Sequence, residues 1–253
     1  MKGSLRLGQA FGIGIFVHWS FGLILAWVLL SSASLGLGGM MGGLLLTLAV
    51  FGLVVLHELG HSLAARHYGI GTRHITLLPI GGVAALERMP TKPREEMVIA
   101  LAGPAVNVVL ALLLLPLVFL SGLVSVALSQ WLLQLVFVNA VLAIFNLLPA
   151  FPMDGGRVLR AWLARRQPYV EATRKAAKVG QCLAVVLALV GLFTMQWTLL
   201  LIGGFIFFAA GAERLQVTMQ HRFGGFQQTP ENRPTNGPVI DADWELLPPR
   251  PGR

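Results

Sequence analysis

The 253-residue chain is 55% hydrophobic and 12% charged, with a mean hydropathy of +0.73, against about 25% charged residues in an ordinary soluble domain. That composition excludes a soluble globular enzyme and points to a chain that crosses a membrane several times. The net charge of +8 comes without any module that interleaves aromatic and basic residues, so nucleic acid is not an expected partner, whereas anionic lipid headgroups are.

In chain order, Lys2 and Arg6 precede a first apolar stretch, Val17–Ser34. It ends in small residues, as a signal peptide does, but it is long for a signal-peptide core and reads as a retained span. His18 and Trp19 at its start fit an interfacial packing pair. The glycine-rich run Gly36–Gly43 reads as an uncharged turn into the second span, Gly43–Ala65.

That second span contains His57-Glu58-Leu59-Gly60-His61. Residues four apart share a helix face, so His57 and His61 can offer imidazole nitrogens to one Zn²⁺, with Glu58 beside them to activate a water. Ionisable groups in lipid are costly, roughly 2.5–3.5 kcal/mol on insertion scales for an Asp, Lys or Arg at a helix centre. Three together therefore imply a task. At about 1.5 Å rise per residue, His61 and His57 lie roughly 8 and 13 Å in from Arg66 at the end of the span.

Between spans two and three, Arg73–Leu78 and Val83–Leu86 are too apolar for a solvated loop and too interrupted for a helix. They predict a small membrane-associated β-hairpin joined through Pro79–Gly82. Such a hairpin is either a packed surface turn or a strand edge that can pair with an extended peptide. The third span, Val98–Leu120, carries Asn107, whose amide is expected to bond across helices.

The fourth span, Trp131–Leu148, runs into Asn146-x-x-Pro149-x-x-Pro152-x-Asp154-Gly155-Gly156. Two prolines remove backbone donors and two glycines permit tight turns, so Asp154 is presented from broken backbone. Irregular backbone at membrane depth is tolerated where it is buried in protein or lines a cavity. A histidine pair needs a third ligand, and Asp154 is the candidate. Zn²⁺, one aspartate and the Glu58 carboxylate sum to zero charge, which suits a low dielectric.

The fifth and sixth spans, Val179–Met195 and Trp197–Gly211, meet in a tight turn at Gln196. The single Cys182 excludes an intrachain disulfide and a multi-cysteine zinc site. All 19 Lys and Arg fall before span one, between spans two and three, between four and five, or after six. The intervening loops carry no charge, so the positive-inside rule puts both termini in the cytoplasm. Residues 214–253 are rich in Pro, Gly and Arg without hydrophobic periodicity and are expected to form a disordered cytoplasmic tail behind a membrane domain of residues 1–213.

His57-Glu58-x-x-His61, Gly103-Pro104-x-x-Asn107 and Asn146-x-x-Pro149-x-x-Pro152-x-Asp154-Gly155, in this order, make the chain resemble the site-2 proteases, polytopic zinc metalloproteases that cut transmembrane segments of other proteins. The resemblance spans residues 10 to 213. It implies zinc held by His57, His61 and Asp154, Glu58 as general base, and Asn146 in substrate engagement. It also favours the strand-edge reading of the hairpin. The PDZ or paired CBS domains attached to many family members have no counterpart in the tail.

The expected architecture is thus an all-α, polytopic six-helix transmembrane bundle with a small β-hairpin. The expected function is intramembrane zinc endopeptidase, acting on single-span or otherwise membrane-embedded proteins in the cell membrane. The alternatives are a prenyl-protein type of membrane zinc peptidase, which lacks the Asn-Pro-Pro-Asp-Gly element, and a non-proteolytic membrane zinc transporter or sensor, which needs ligands in the outer half of the membrane.

Overall fold

The computed structural model describes residues 3–79, 81–90 and 92–223. Its elements run β1 (Ser4–Ala10), β2 (Ile13–His18), α1 (Phe21–Ser31), a 3-10 turn (Ala33–Leu35), α2 (Gly36–His67), β3 (Thr72–Leu78), β4 (Gly81–Leu86), α3 (Pro93–Gly122), α4 (Val126–Asn146), α5 (Asp154–Leu163), α6 (Tyr169–Phe193) and α7 (Trp197–Phe223). The molecule is mainly helical. Five of its helices, α2, α3, α4, α6 and α7, are long and apolar enough to cross a membrane.

The described residues thus hold seven α-helices where six were expected. The extra one is α5, and α1 is shorter than the span expected in its place. The stretch expected as span one divides: Val17 and His18 end β2, and α1 has only 11 residues. It lies antiparallel to α2, with Phe21 against Phe51 at a ring separation of 4.4 Å and Val28 beside Gly43. The run Gly36–Gly43, expected as a turn, is already helical, and the reversal is made at residues 32–35. The added helix is α5, ten residues between the Asn-Pro-Pro motif and span five.

The expected hairpin is β3 and β4, paired antiparallel, within a four-stranded sheet of order β1-β2-β3-β4. An unanticipated N-terminal hairpin completes it: β1 and β2 are antiparallel, turned by Phe11 and Gly12 at φ 52° and 85°, as two-residue hairpin turns require. Strand β2 then pairs parallel with β3, Ile15 opposite Ile75. This corrects one expectation. Residues Arg73–Leu78 lie in an interior strand, so the free edge on this side of the sheet belongs to β4. One sheet face packs Ile13 and Ile75 on Leu59 of α2, between the two histidines in sequence.

Close backbone approach holds the long helices together, as it must where lipid supplies no hydrophobic drive between them. A Cβ on Gly203 of α7 would lie 2.7 Å from the Ala184 carbonyl of α6, and one on Gly60 of α2 would lie 2.7 Å from Val106 and 2.9 Å from the Ala102 carbonyl of α3. Helix α3 begins with Pro93 and carries Glu95 and Glu96 in its first turn, which suits the positive end of the helix dipole. Ser125 caps α4 by accepting from the Leu128 N–H at 3.3 Å. Helix α7 continues ten residues past Glu213. The remainder of the expected tail, 224–253, lies outside the described residues.

Gly60→Ala should lower the thermal midpoint of the detergent-solubilised protein, with an overpacking cost of about 1–3 kcal/mol that exceeds the helix-propensity gain. Gly52→Ala, in the same helix with open space around its Cα, should leave the midpoint unchanged or raise it. Equal midpoints for the two variants would contradict the packing of α2 on α3.

Candidate metal centre

His57 and His61 stand one turn apart on α2, both buried, with ring centroids 4.7 Å apart and nearly perpendicular planes. Their Nε2 atoms are 3.1 Å apart. Asp154, the first residue of α5, brings Oδ2 to 3.2 Å from His57 Nε2 and 3.1 Å from His61 Nε2. Among the described residues these three form the one group of His, Cys, Asp or Glu side chains placed to hold a metal ion.

The donor set fits a divalent cation. His61 Nδ1 lies 2.7 Å from the Ile99 carbonyl, which can only accept, so Nδ1 carries the proton and Nε2 keeps its lone pair. That lone pair, its counterpart on His57 and a carboxylate oxygen converge on one point. Three acceptors so arranged repel unless a proton or a cation lies between them. The edges of the triangle, 3.1–3.2 Å, approach the about 3.3 Å edge of a tetrahedron with metal–ligand bonds of about 2.0–2.1 Å.

Neighbouring elements leave room for this convergence. A Cβ on Gly103 of α3 would collide with His61 Nε2 and lie 2.7 Å from His57 Nε2. Glycine is therefore demanded by space alone. Pro104 beside it lacks the N–H that would bond the Ala100 carbonyl, which loosens this turn of α3 next to the Ile99 carbonyl that orients His61.

Asp154 is delivered by the segment between α4 and α5, with Pro149, Pro152 and a cis Phe151–Pro152 bond. Gly155 and Gly156 then seat α5 on that segment: Cβ atoms there would strike the Leu147 and Leu148 carbonyls, and would lie 2.7 Å from the Ala150 carbonyl carbon and the Phe151 nitrogen. The carboxylate sits in the first turn of its helix, where the dipole favours a negative charge. Burial works to raise the Asp154 carboxyl, but the approach of His57 and His61 outweighs it and holds the group well below the usual carboxylate range.

Glu58 is half-buried beside the histidines and faces β4, where a Cβ on Gly82 would lie 2.6 Å from its Cγ. Asn146 closes α4, half-buried, and takes part in none of the side-chain hydrogen bonds of the described residues. Asn107 departs from expectation. It is fully buried, yet neither amide atom has a bonding partner. The Ile99 carbonyl and Gly82 were not anticipated from sequence. A backbone carbonyl has no residue signature, and the Gly81-Gly82 pair gave only a turn signal.

A family model described as Peptidase family M50 matches residues 45–127 and 120–187, more than half of the chain. A zinc metalloprotease of Methanocaldococcus jannaschii is 38% identical over 228 residues, 88% of this chain and 64% of that protein. A putative zinc metalloprotease of Mycobacterium tuberculosis is 35% identical over 89% of this chain and 62% of its own length. The chain thus spans just under two thirds of the length of these relatives. The solved structure of a site-2 protease from Methanocaldococcus jannaschii superposes with a TM-score of 0.61 at 36% identity, covering 83% of this chain and 95% of that one.

Gly103→Ala should weaken metal binding by at least about tenfold, the range seen when groups supporting metal ligands are disturbed. Gly122→Ala, later in α3, where a Cβ finds only ordinary contacts at 3.5–3.8 Å, should bind metal as the parent does. Chelator competition on the purified variants reads both. Unimpaired binding by Gly103→Ala would contradict the close approach of α3 to the histidines.

Proposed function

Since this chain belongs to peptidase family M50, we propose that it is an intramembrane zinc endopeptidase that cleaves membrane-embedded protein substrates. One observation carries the reading: His57 Nε2, His61 Nε2 and Asp154 Oδ2 converge at 3.1–3.2 Å among helices apolar enough to cross a membrane. A zinc transporter needs a succession of ligands through the membrane. No second such group occurs among the described residues.

In this reading His57, His61 and Asp154 hold zinc, which when bound supplies a Lewis acid for the scissile carbonyl and its attacking water. Glu58 is the general base. Its carboxylate takes the proton as the water oxygen bonds to the carbonyl carbon, then returns it to the amide nitrogen as the C–N bond breaks. The His61 bond to Ile99 keeps that imidazole from rotating. Apolar helices limit the entry of further water.

A transmembrane helix shields its peptide bonds with its own hydrogen bonds and must be locally extended before cleavage. Strand β4 fits the need for a replacement partner: its outer edge pairs with no other strand among the described residues, and Gly82 lies directly against Glu58. Asn146, at the lip of the segment leading to Asp154, is assigned to substrate engagement.

Both termini are assigned to the cytoplasm. Helix α1 is about 16 Å long, short of the ~30 Å hydrocarbon core, yet its antiparallel hairpin with α2 returns the chain to its starting side. Six entries into the membrane, by α1, α2, α3, α4, α6 and α7, then keep every Lys and Arg on one side. Residues 1–213 form the catalytic unit and residues 214–253 extend it on the cytoplasmic side, in what we assign as the cell membrane.

Glu58→Gln should abolish cleavage of single-span proteins co-expressed with it while the purified variant retains zinc, because the amide keeps the shape and cannot take the proton. His57→Ala should lose both. Fragment analysis and metal content measure the two properties, and persistent cleavage by Glu58→Gln would sink the mechanism. Reporters fused after Lys2, Pro90 and Glu171 should all report cytoplasm, with one inserted at Gly122 reporting the opposite side. Disagreement among the first three would break the topology.

A further inference from the structure

Arg160 lies in α5, six residues after Asp154, and is only 2% exposed. Its Nε and Nη2 donate to Glu96 Oε1 of α3 at 2.7 and 2.5 Å, and Nη1 donates to Glu213 Oε1 of α7 at 2.6 Å. The guanidinium also lies 5.0 Å from the ring of Phe151 and 4.9 Å from that of Tyr169. Burial works against its charge, but the Glu96 and Glu213 carboxylates outweigh it and push the guanidinium pKa further up.

Buried ion networks seldom add net stability over apolar packing, because desolvation consumes the Coulombic gain. Their distinctive contribution is a fixed geometry. Here the geometry reaches the metal centre. Along α3, Glu96 and Gly103 are about 10 Å apart, and along α5, Asp154 and Arg160 are about 9 Å apart. The two helices run antiparallel and meet at both points: Arg160 on Glu96 at one end, and Asp154 on the histidines that close against Gly103 at the other.

Gly155 and Gly156 seat α5 on the segment that precedes it, and that segment packs on α6 and α7, with Ala150 against Gly180 and Phe151 among Ala176, Ala177 and Ala210. The ion pair with Glu96 fixes α5 to α3. Without it, sliding by a single residue shifts Asp154 by about 1.5 Å, far beyond the roughly 0.2 Å tolerance of a metal–ligand distance. Phe151, under the guanidinium, ties the proline segment to the same anchor, and Glu213 adds α7.

We propose that Arg160, clamped by Glu96 and Glu213, is the positioning residue that sets Asp154 at metal-binding distance from His57 and His61. This rests on the reading of those three residues as zinc ligands. The polar partners of Arg160 are Glu96 and Glu213 rather than any of the three ligand residues, so it acts through the placement of Asp154. A lysine would satisfy one carboxylate but cannot span both with a planar fork.

The test uses the full chain purified in detergent, as wild type and as Arg160→Gln, Arg160→Lys, Glu96→Gln and Asp154→Asn, with thermal melting to establish folding. Zinc affinity is measured by competition with a chromophoric chelator, and ligand geometry by the visible absorption of the Co²⁺-substituted protein. Arg160→Gln should bind zinc about 10- to 100-fold more weakly and change the Co²⁺ spectrum, with Arg160→Lys recovering part of both. Wild-type affinity together with an unchanged spectrum in a folded Arg160→Gln would overturn the proposal. Should that variant fail to fold, Glu96→Gln, which keeps an acceptor but removes the charge, carries the same expectation and the same overturning result. Asp154→Asn separates the levels. Weakened zinc binding there, with none in the Arg160 and Glu96 variants, removes the positioning role alone, whereas undiminished binding in Asp154→Asn removes the ligand assignment as well.

Discussion

A cluster of ionisable groups inside lipid is tolerable only if charges cancel locally, and the rest of this structure follows from that constraint. Two histidines and an aspartate converge within 3.1–3.2 Å, an arrangement that costs free energy until a cation occupies the centre of the triangle. Helix α2 supplies the histidines at one-turn spacing. Everything else that bears on the site either leaves room, as Gly103 does, or fixes orientation, as the Ile99 carbonyl does.

The sheet answers a second requirement of the same environment. Backbone groups within a membrane need partners, and non-helical strands beside the metal centre obtain theirs from each other. The N-terminal hairpin fills that role: β2 covers one side of β3, leaving β4 as the edge nearest Glu58. An extended substrate segment laid along β4 would satisfy its own freed N–H and C=O groups at the depth where the base stands. Placing the edge at β4 also fits the glycine at 82, since a Cβ there would press on the Glu58 side chain at its Cγ.

The convergence of His57, His61 and Asp154 was legible in the sequence because metal chemistry dictates residue types at fixed spacing: His57 and His61 four apart, Asp154 after two prolines. The small sheet was half legible. Strands β3 and β4 announced themselves through an apolar run broken at Pro79–Gly82, but Ile13–His18 runs into α1 with only His18 and Ser20 interrupting the apolar residues, and hydropathy does not distinguish a buried strand from the start of a helix. The glycine-rich start of α2 misled for a related reason, since glycine is common in membrane helices where it punctuates soluble ones. Asn107 was expected to bond across helices and does not, and Arg160 gave no sign in the sequence of the two carboxylates it holds, which lie 64 and 53 residues away.

The central claim is that zinc chemistry takes place within the cytoplasmic half of the membrane, at the depth set by His57 and His61. Mass spectrometry of both fragments of a single-span substrate, cut by the purified protein in lipid vesicles, locates the scissile bond directly. The account predicts a bond roughly 8–13 Å inside the cytoplasmic boundary of the substrate helix. A cut consistently in the opposite half of the span would contradict both the placement of the site and the topology on which it depends.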